Sequence, residues 1–228
     1  MADQWSAPEH ARRRSAVYGL LARLLQSPVD APLLAGLSAI DFATIPLNAC
    51  VPKACQELAS FFAAPDAATT LRLLAADYAR LFVDGSEDKP RISLFESVQF
   101  ASDDDDAEDL RADIDAMLDE ESILVSPDWQ YSRDHAAVEL EIMQVLARRL
   151  ATSLEKGDRD EADYQLDCQE EFFEAHIGNW MPKLASQIQQ SCKTSFYRAV
   201  AYMLQEIIDA DEMHFSGEDE TPNLEISA

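Results

Sequence analysis

The sequence predicts an all-α protein, a single globular domain of roughly nine to eleven helices. Three observations carry this expectation. Apolar residues recur at i, i+3, i+4 spacing in one segment after another, with Pro, Gly and Asp at the breaks. No stretch alternates apolar and polar residues long enough to make a strand. Hydrophobic residues make up 47% of 228 residues with only 6 glycines, a composition that can bury a sizeable core.

In chain order, Pro8 and Glu9 suit a helix start, and Val17, Leu20, Leu21, Leu24 and Leu25 give it one apolar face. Pro28 and Pro32 end it after Gln26. Arg12-Arg13-Arg14 precede these apolar residues, but Arg23 interrupts the run and no small-residue cleavage site follows closely. The segment is therefore expected to be a first helix rather than an export signal, in a protein that stays in the cytoplasm. Asp30-Ala31-Pro32 can open a short helix, and Pro46 breaks the chain again. Pro52 to Phe62 reads as a helix, and Pro65-Asp66 precedes another from about Ala67 to Val83. Gly85 suits a left-handed cap closing that helix. A polar loop follows, then Asp103-Asp104-Asp105-Asp106 opens a helix to about Glu121, its carboxylates placed at the positive end of the helix dipole.

Residues 122–132 read as a hinge, where Ser126-Pro127-Asp128 makes a turn and Pro127 disfavours helical geometry for Ser126. The central helix is expected over 133–155, with Ser132 as N-cap. Val138, Ile142, Val145, Leu146 and Leu150 line one side, and Leu140, Met143, Ala147 and Leu154 much of the other, so this helix should be buried. Gly157-Asp158 ends it. A helix from about Arg159 to Gly178 and a last one from Ser195 to Ile208 complete the set. The domain is expected to span 1–213, with helical parts 1–121 and 133–213, and an acidic disordered tail over 214–228.

The net charge is −25, with −10 over residues 101–121 and −7 over 209–228. This balance argues against nucleic acid or an anionic membrane as partner, and a basic peptide is the more natural ligand. No apolar run is long enough to span a bilayer. Cys50, Cys55, Cys168 and Cys192 lack CxxC spacing and read as free thiols in a reducing compartment. No glycine-rich phosphate loop and no nucleophile beside an obvious base is present.

Several motifs carry a family resemblance. Asp134-His135, followed by Glu139-Leu140 and Ile142-Met143, resembles the Pro-x-Asp-His and Glu-Leu-x-Phe-Met signature of the TorD/DmsD/NarJ family of redox-enzyme maturation chaperones. Ser132 stands where that signature has proline, and Ile142 where it has Phe. Tyr18 to Leu25 with Pro28 resembles the family's first helix, Tyr78-Ala79-Arg80-Leu81-Phe82 its Tyr-x-x-Leu-Phe element, and Phe95-Glu96-Ser97-Val98 its aromatic-plus-Ser-Val position. Phe173-Glu174-Ala175-His176-Ile177 with Trp180 resembles its Phe-x-x-His-Leu-x-x-Trp pattern, Leu184 taking the final aromatic place. The elements occur in the family's order.

The resemblance implies a TorD-like fold and a cytoplasmic chaperone, and the incomplete set of metal-ligating residues leads to the expectation of no catalysis and of no cofactor or metal of its own. Its partner would be the N-terminal leader, of twin-arginine type, of an apo-molybdoenzyme, with molybdenum-cofactor biosynthesis proteins as further partners. A monomer with a domain-swapped dimer fraction is expected across the hinge. A leader carries adjacent arginines and then an apolar segment, so its receptor needs carboxylates beside an apolar groove. The expected leader-binding residues are Tyr78, Leu81 and Phe82, then Phe95 and Glu96, and Asp134, His135 and Glu139 at the central helix. On the residues alone, the bland alternative for Asp134-His135 is a capped helix start, and for Tyr78, Leu81 and Phe82 core packing. The runner-up function is a metal-dependent helical hydrolase with His135, Glu139, Glu171 and His176 as ligands.

Overall fold

The computed structural model describes residues 7–44, 51–63, 67–85 and 90–216. Pro46, Cys50, the Pro65-Asp66 pair and the tail from residue 217 lie outside the described residues, as do 86–89 of the polar loop. Within them the chain forms α1 (Ala7–Gln26), α2 (Ala31–Ser38), α3 (Pro52–Phe62), α4 (Ala67–Tyr78) and α5 (Glu96–Gln99). There follow α6 (Asp104–Glu120), α7 (Ala136–Lys156), α8 (Arg159–Phe172), α9 (Gly178–Ser191) and α10 (Ser195–Phe215). The fold is all-α, and no strand occurs among the described residues.

Side-chain caps start several of these helices. Asp30 accepts from the Leu33 amide at 2.8 Å, Asp103 from Asp106 at 3.0 Å and Asp158 from Glu161 at 3.3 Å. Gly157 ends α7 in the left-handed conformation at φ 71°. Gly85 has no positive φ, contrary to expectation. Instead the end of α4 widens into a π-turn, Ala79–Val83, and the Asp84 amide closes it on the Ala79 carbonyl at 2.7 Å.

α7 is the central helix, apolar on most of its circumference as its sequence requires, with Leu140, Ile142, Met143, Leu146 and Ala147 fully buried. α1 lies along it, and Gly19 permits the approach: a Cβ there would meet the Gln144 side-chain amide at 2.5 Å. Arg14 of the arginine run is not a surface signal. It forks onto Asp211 of α10 with two bonds of 2.7 Å, and the Tyr18 hydroxyl donates to the same carboxylate at 2.6 Å. The start of α10 is fastened by Asp77, which accepts from the Thr194 amide and hydroxyl at 2.8 Å each and from the Lys193 amide at 3.0 Å. α10 runs to Phe215, past the domain end expected at residue 213, because Phe215 packs on Phe173 with ring centroids 5.3 Å apart.

The chain does not break at Gly178. α8 passes through a second π-turn, Phe173–Ile177, directly into α9. The wider turn resets the helical phase so that His176 and Trp180, four apart, face α5 and α7 together.

Candidate functional site: the mouth of the central helix

α7 begins at Ala136, not at residue 133, and its N-cap is His135 rather than Ser132. The reason is a long-range tie. Residues 90–95 cross the fold as an extended strap. The Ile92 amide donates to the Leu81 carbonyl at 2.8 Å. At its other end Phe95 and His135 form an antiparallel bridge, with Glu96 N–H on the Asp134 carbonyl at 2.9 Å and Ala136 N–H on the Leu94 carbonyl at 2.8 Å. His135 is thereby held extended, and helical geometry starts only after it. The strap joins the Leu81-Phe82 pair to the Asp134-His135 pair, elements that lie some fifty residues apart in the chain.

His135 Nδ1 accepts the Ala137 amide at 3.1 Å, so the neutral ring carries its hydrogen on Nε2. Burial, opposed only in part by the Asp134 charge, lowers its pKa from the usual 6.5 to about 4. Three rings surround it: Phe95 edge-on at 5.1 Å, Trp129 edge-on at 5.2 Å, and Tyr131 stacked at 5.8 Å. Phe95 and Trp129 are half-buried and Tyr131 is exposed, so the box opens to solvent on one side. α5, which follows Phe95 directly, leaves Val98 exposed, and Phe100 just after it is exposed as well.

Beneath the box lie carboxyl groups excluded from solvent. Asp134 Oδ2 accepts from the Ser97 amide at 3.2 Å and from the Ser97 hydroxyl. Its Oδ1 has no hydrogen bond, and the nearest cation is Arg111 Nε at 3.7 Å. Glu96 Oε2 accepts from His176 Nδ1 at 2.9 Å, and Glu139 Oε2 from the Trp180 indole at 2.9 Å. The second oxygen of each glutamate is buried without a partner. Burial raises the Glu139 pKa well above the usual range, and the neighbouring Glu96 charge adds to it against the Trp180 bond.

Of the residues expected at the site, Phe95, Glu96, Asp134, His135 and Glu139 thus come together at the head of α7. His135 and Glu139 do not pair with each other; each has its own partner. Tyr78, Leu81 and Phe82 lie under the strap as core residues, 6%, 1% and 7% exposed. The Tyr78 hydroxyl donates to the Leu25 carbonyl at 3.0 Å, and burial pushes its pKa up to about 12. Sequence reasoning met Ser97 only as part of a motif and passed over Arg111, Trp129 and Tyr131. The signals were present: Trp129 and Tyr131 stand in an otherwise polar connection, and Arg111 is the sole base among residues 101–121.

The hydrolase ligands do not assemble. Glu171 is exposed, whereas His135, Glu139 and His176 are buried on separate partners. Among the described residues no group of three or more His, Cys, Asp or Glu could hold a metal ion. A surface cavity of about 260 Å³, lined by Lys53, Gln56, Glu57, Ser60 and Tyr202, shares no residue with the mouth.

Residues 46–186 match the sequence profile described as nitrate reductase delta subunit. The chain belongs to that family. The delta-subunit family consists of maturation chaperones for molybdenum-containing enzymes of the nitrate reductase type. The matched span contains the strap, α6, the head of α7 and the His176-Trp180 face. No individual curated protein and no solved structure gives a significant match. No helix among the described residues is long and apolar enough to cross a membrane.

Proposed function

We propose that this delta-subunit family member is a cytoplasmic, non-catalytic chaperone that binds the N-terminal leader of a molybdenum-containing oxidoreductase. By holding that leader, of twin-arginine type, it keeps the apo-enzyme from export while cofactor is inserted. The carrying observation is the half-open aromatic box around His135 directly above buried carboxylates, a pairing of surfaces that suits a peptide with arginines followed by apolar residues. In this reading Phe95, Trp129 and Tyr131 take the apolar segment and Asp134 takes an arginine. Glu96 supplies negative charge from below, Glu139 holds the Trp180 indole beneath the box, and Tyr78, Leu81 and Phe82 support the strap that shapes the floor. The strongly acidic face of α6 raises the local concentration of a cationic leader.

The test is to purify the protein from its own cells and identify what co-elutes. A molybdoenzyme precursor that is retained through its leader, and lost when the leader is deleted, is the expected result. Retention of the precursor without its leader, or of no molybdoenzyme at all, would contradict it.

A further inference from the structure

We propose that Asp134 and Ser97 form a guanidinium subsite whose resident occupant is Arg111, and that an arginine of the partner peptide displaces it. The inference rests on the leader-binding reading and adds to it an occupant that must leave.

Asp134 is fully buried, yet its Oδ1 lacks any hydrogen bond. That atom faces Arg111 Nε at 3.7 Å, beyond hydrogen-bond reach. Arg111 is tethered to α6 and spends Nη2 on the Ser97 hydroxyl at 2.9 Å, so its fork is shared between two acceptors and satisfies one. Its side chain is 44% exposed, and it forms the outer wall of the subsite rather than part of the core. An incoming guanidinium free of the α6 backbone can approach Oδ1 at the ~2.7–2.9 Å of a charge-assisted bond. A lysine ammonium, a point donor, cannot span both oxygens in the same way.

Displacement leaves the scaffold in place. Arg133 and Asp115, bonded at 3.0 Å, separately tie α6 to the residue beside Asp134. On the same helix Glu108, three residues before Arg111 and exposed, can receive the displaced arginine.

The experiment is calorimetric titration with a synthetic peptide of adjacent arginines followed by an apolar segment, against wild type, Arg111→Ala and Arg111→Lys. Arg111→Ala should bind about two- to fivefold tighter, because a loose, half-exposed arginine no longer has to be moved off Asp134. Arg111→Lys should fall between, and a peptide with lysines in place of arginines should bind weakly and gain nothing. Equal or weaker binding by an Arg111→Ala variant that melts like wild type overturns the proposal. Should that variant fold poorly, the wild-type protein decides. The Arg111 Nε–H resonance, assigned by its loss in Arg111→Lys, must move to the position of a solvated arginine as peptide is added. If it stays while the Trp129 indole signal responds, Arg111 is not displaced. Absence of peptide binding to both wild type and Arg111→Ala defeats the leader reading and this one together. Binding to wild type with no effect of Arg111 defeats this one alone.

Discussion

The Trp180 indole donates its Nε1–H to Glu139 Oε2 at 2.9 Å, joining α9 to the first turn of α7 across 41 residues of chain. The pair sets one testable dependence. Glu139→Gln keeps an acceptor for the indole and removes the ionisable group. Glu139→Ala removes the acceptor and opens a cavity, and should lower stability by about 2–4 kcal/mol. The wild-type carboxyl has a raised pKa in the fold, so its contribution is intact below the usual value near 4.5 and lost as pH climbs toward the folded value. Urea unfolding at acidic and mildly alkaline pH should therefore show wild type weakening with rising pH and Glu139→Gln weakening less.

His135 should give the opposite slope. Its pKa is depressed from 6.5 to about 4, so the contribution is full above 6.5 and lost as pH falls toward 4. The loss across that interval is about 2–3 kcal/mol, since one pKa unit corresponds to about 1.4 kcal/mol. His135→Asn retains an oxygen to cap the Ala137 amide but does not titrate. The variant should be less stable at neutral pH, having lost its ring contacts, and should show a flatter acid limb in the same unfolding series.

Asp77 is the fastening between the end of α4 and the start of α10, accepting the amides of Lys193 and Thr194 and the Thr194 hydroxyl. Asp77→Ala strands two amides at a part-buried helix start and should cost about 1–2 kcal/mol. Hydrogen exchange should localise the loss to the first turns of α10, with the Asp134 mouth unaffected.

Leu81→Ala tests the role of the core residues expected to touch the leader. Leu81 is 1% exposed, so truncation should reduce stability by about 2–5 kcal/mol. Any fall in peptide affinity should scale with unfolding and vanish at temperatures where the variant is fully folded. A persistent affinity loss in folded Leu81→Ala would mean that the strap lifts and exposes this residue to the leader.

Much of the fold was legible because its determinants are local. The prolines at 8, 32 and 52, the aspartates capping α2 and α6, and Gly157 act within a turn of their own position, and the ends they mark agree with the helices observed. Where a distant segment decides, the sequence misled. Ser132 looks like a cap, but the strap from residues 90–95 bonds to Asp134 and Ala136 on either side of an extended His135 and moves the start to Ala136. The two π-turns leave no mark in spacing, and Gly178 reads as a stop while lying in continuous helix. The site was legible as a set of motifs but not as a set of pairs. His176 with Glu96, Trp180 with Glu139 and Arg111 with Asp134 are partnerships across 80, 41 and 23 residues, and charge or periodicity along the chain does not encode them. The ambiguity of Tyr78, Leu81 and Phe82 is of the same kind: helical spacing of aromatics describes core and groove equally, and burial separates them.

The most direct test of leader binding at the head of α7 is calorimetric titration of a synthetic leader peptide at low and high salt, against wild type, Asp134→Asn and a chain truncated after Ser216. That truncation removes Glu218, Asp219, Glu220 and Glu225 but spares Phe215 and its contact with Phe173. Wild-type binding should weaken with salt, since partly exposed ion pairs are screened over ~8–10 Å. Asp134→Asn keeps an oxygen for Ser97 and should preserve the fold while weakening binding by about 2–5 kcal/mol, and truncation should change affinity little. Unchanged binding by Asp134→Asn together with its loss on truncation would contradict the account and place the receptor on the acidic tail.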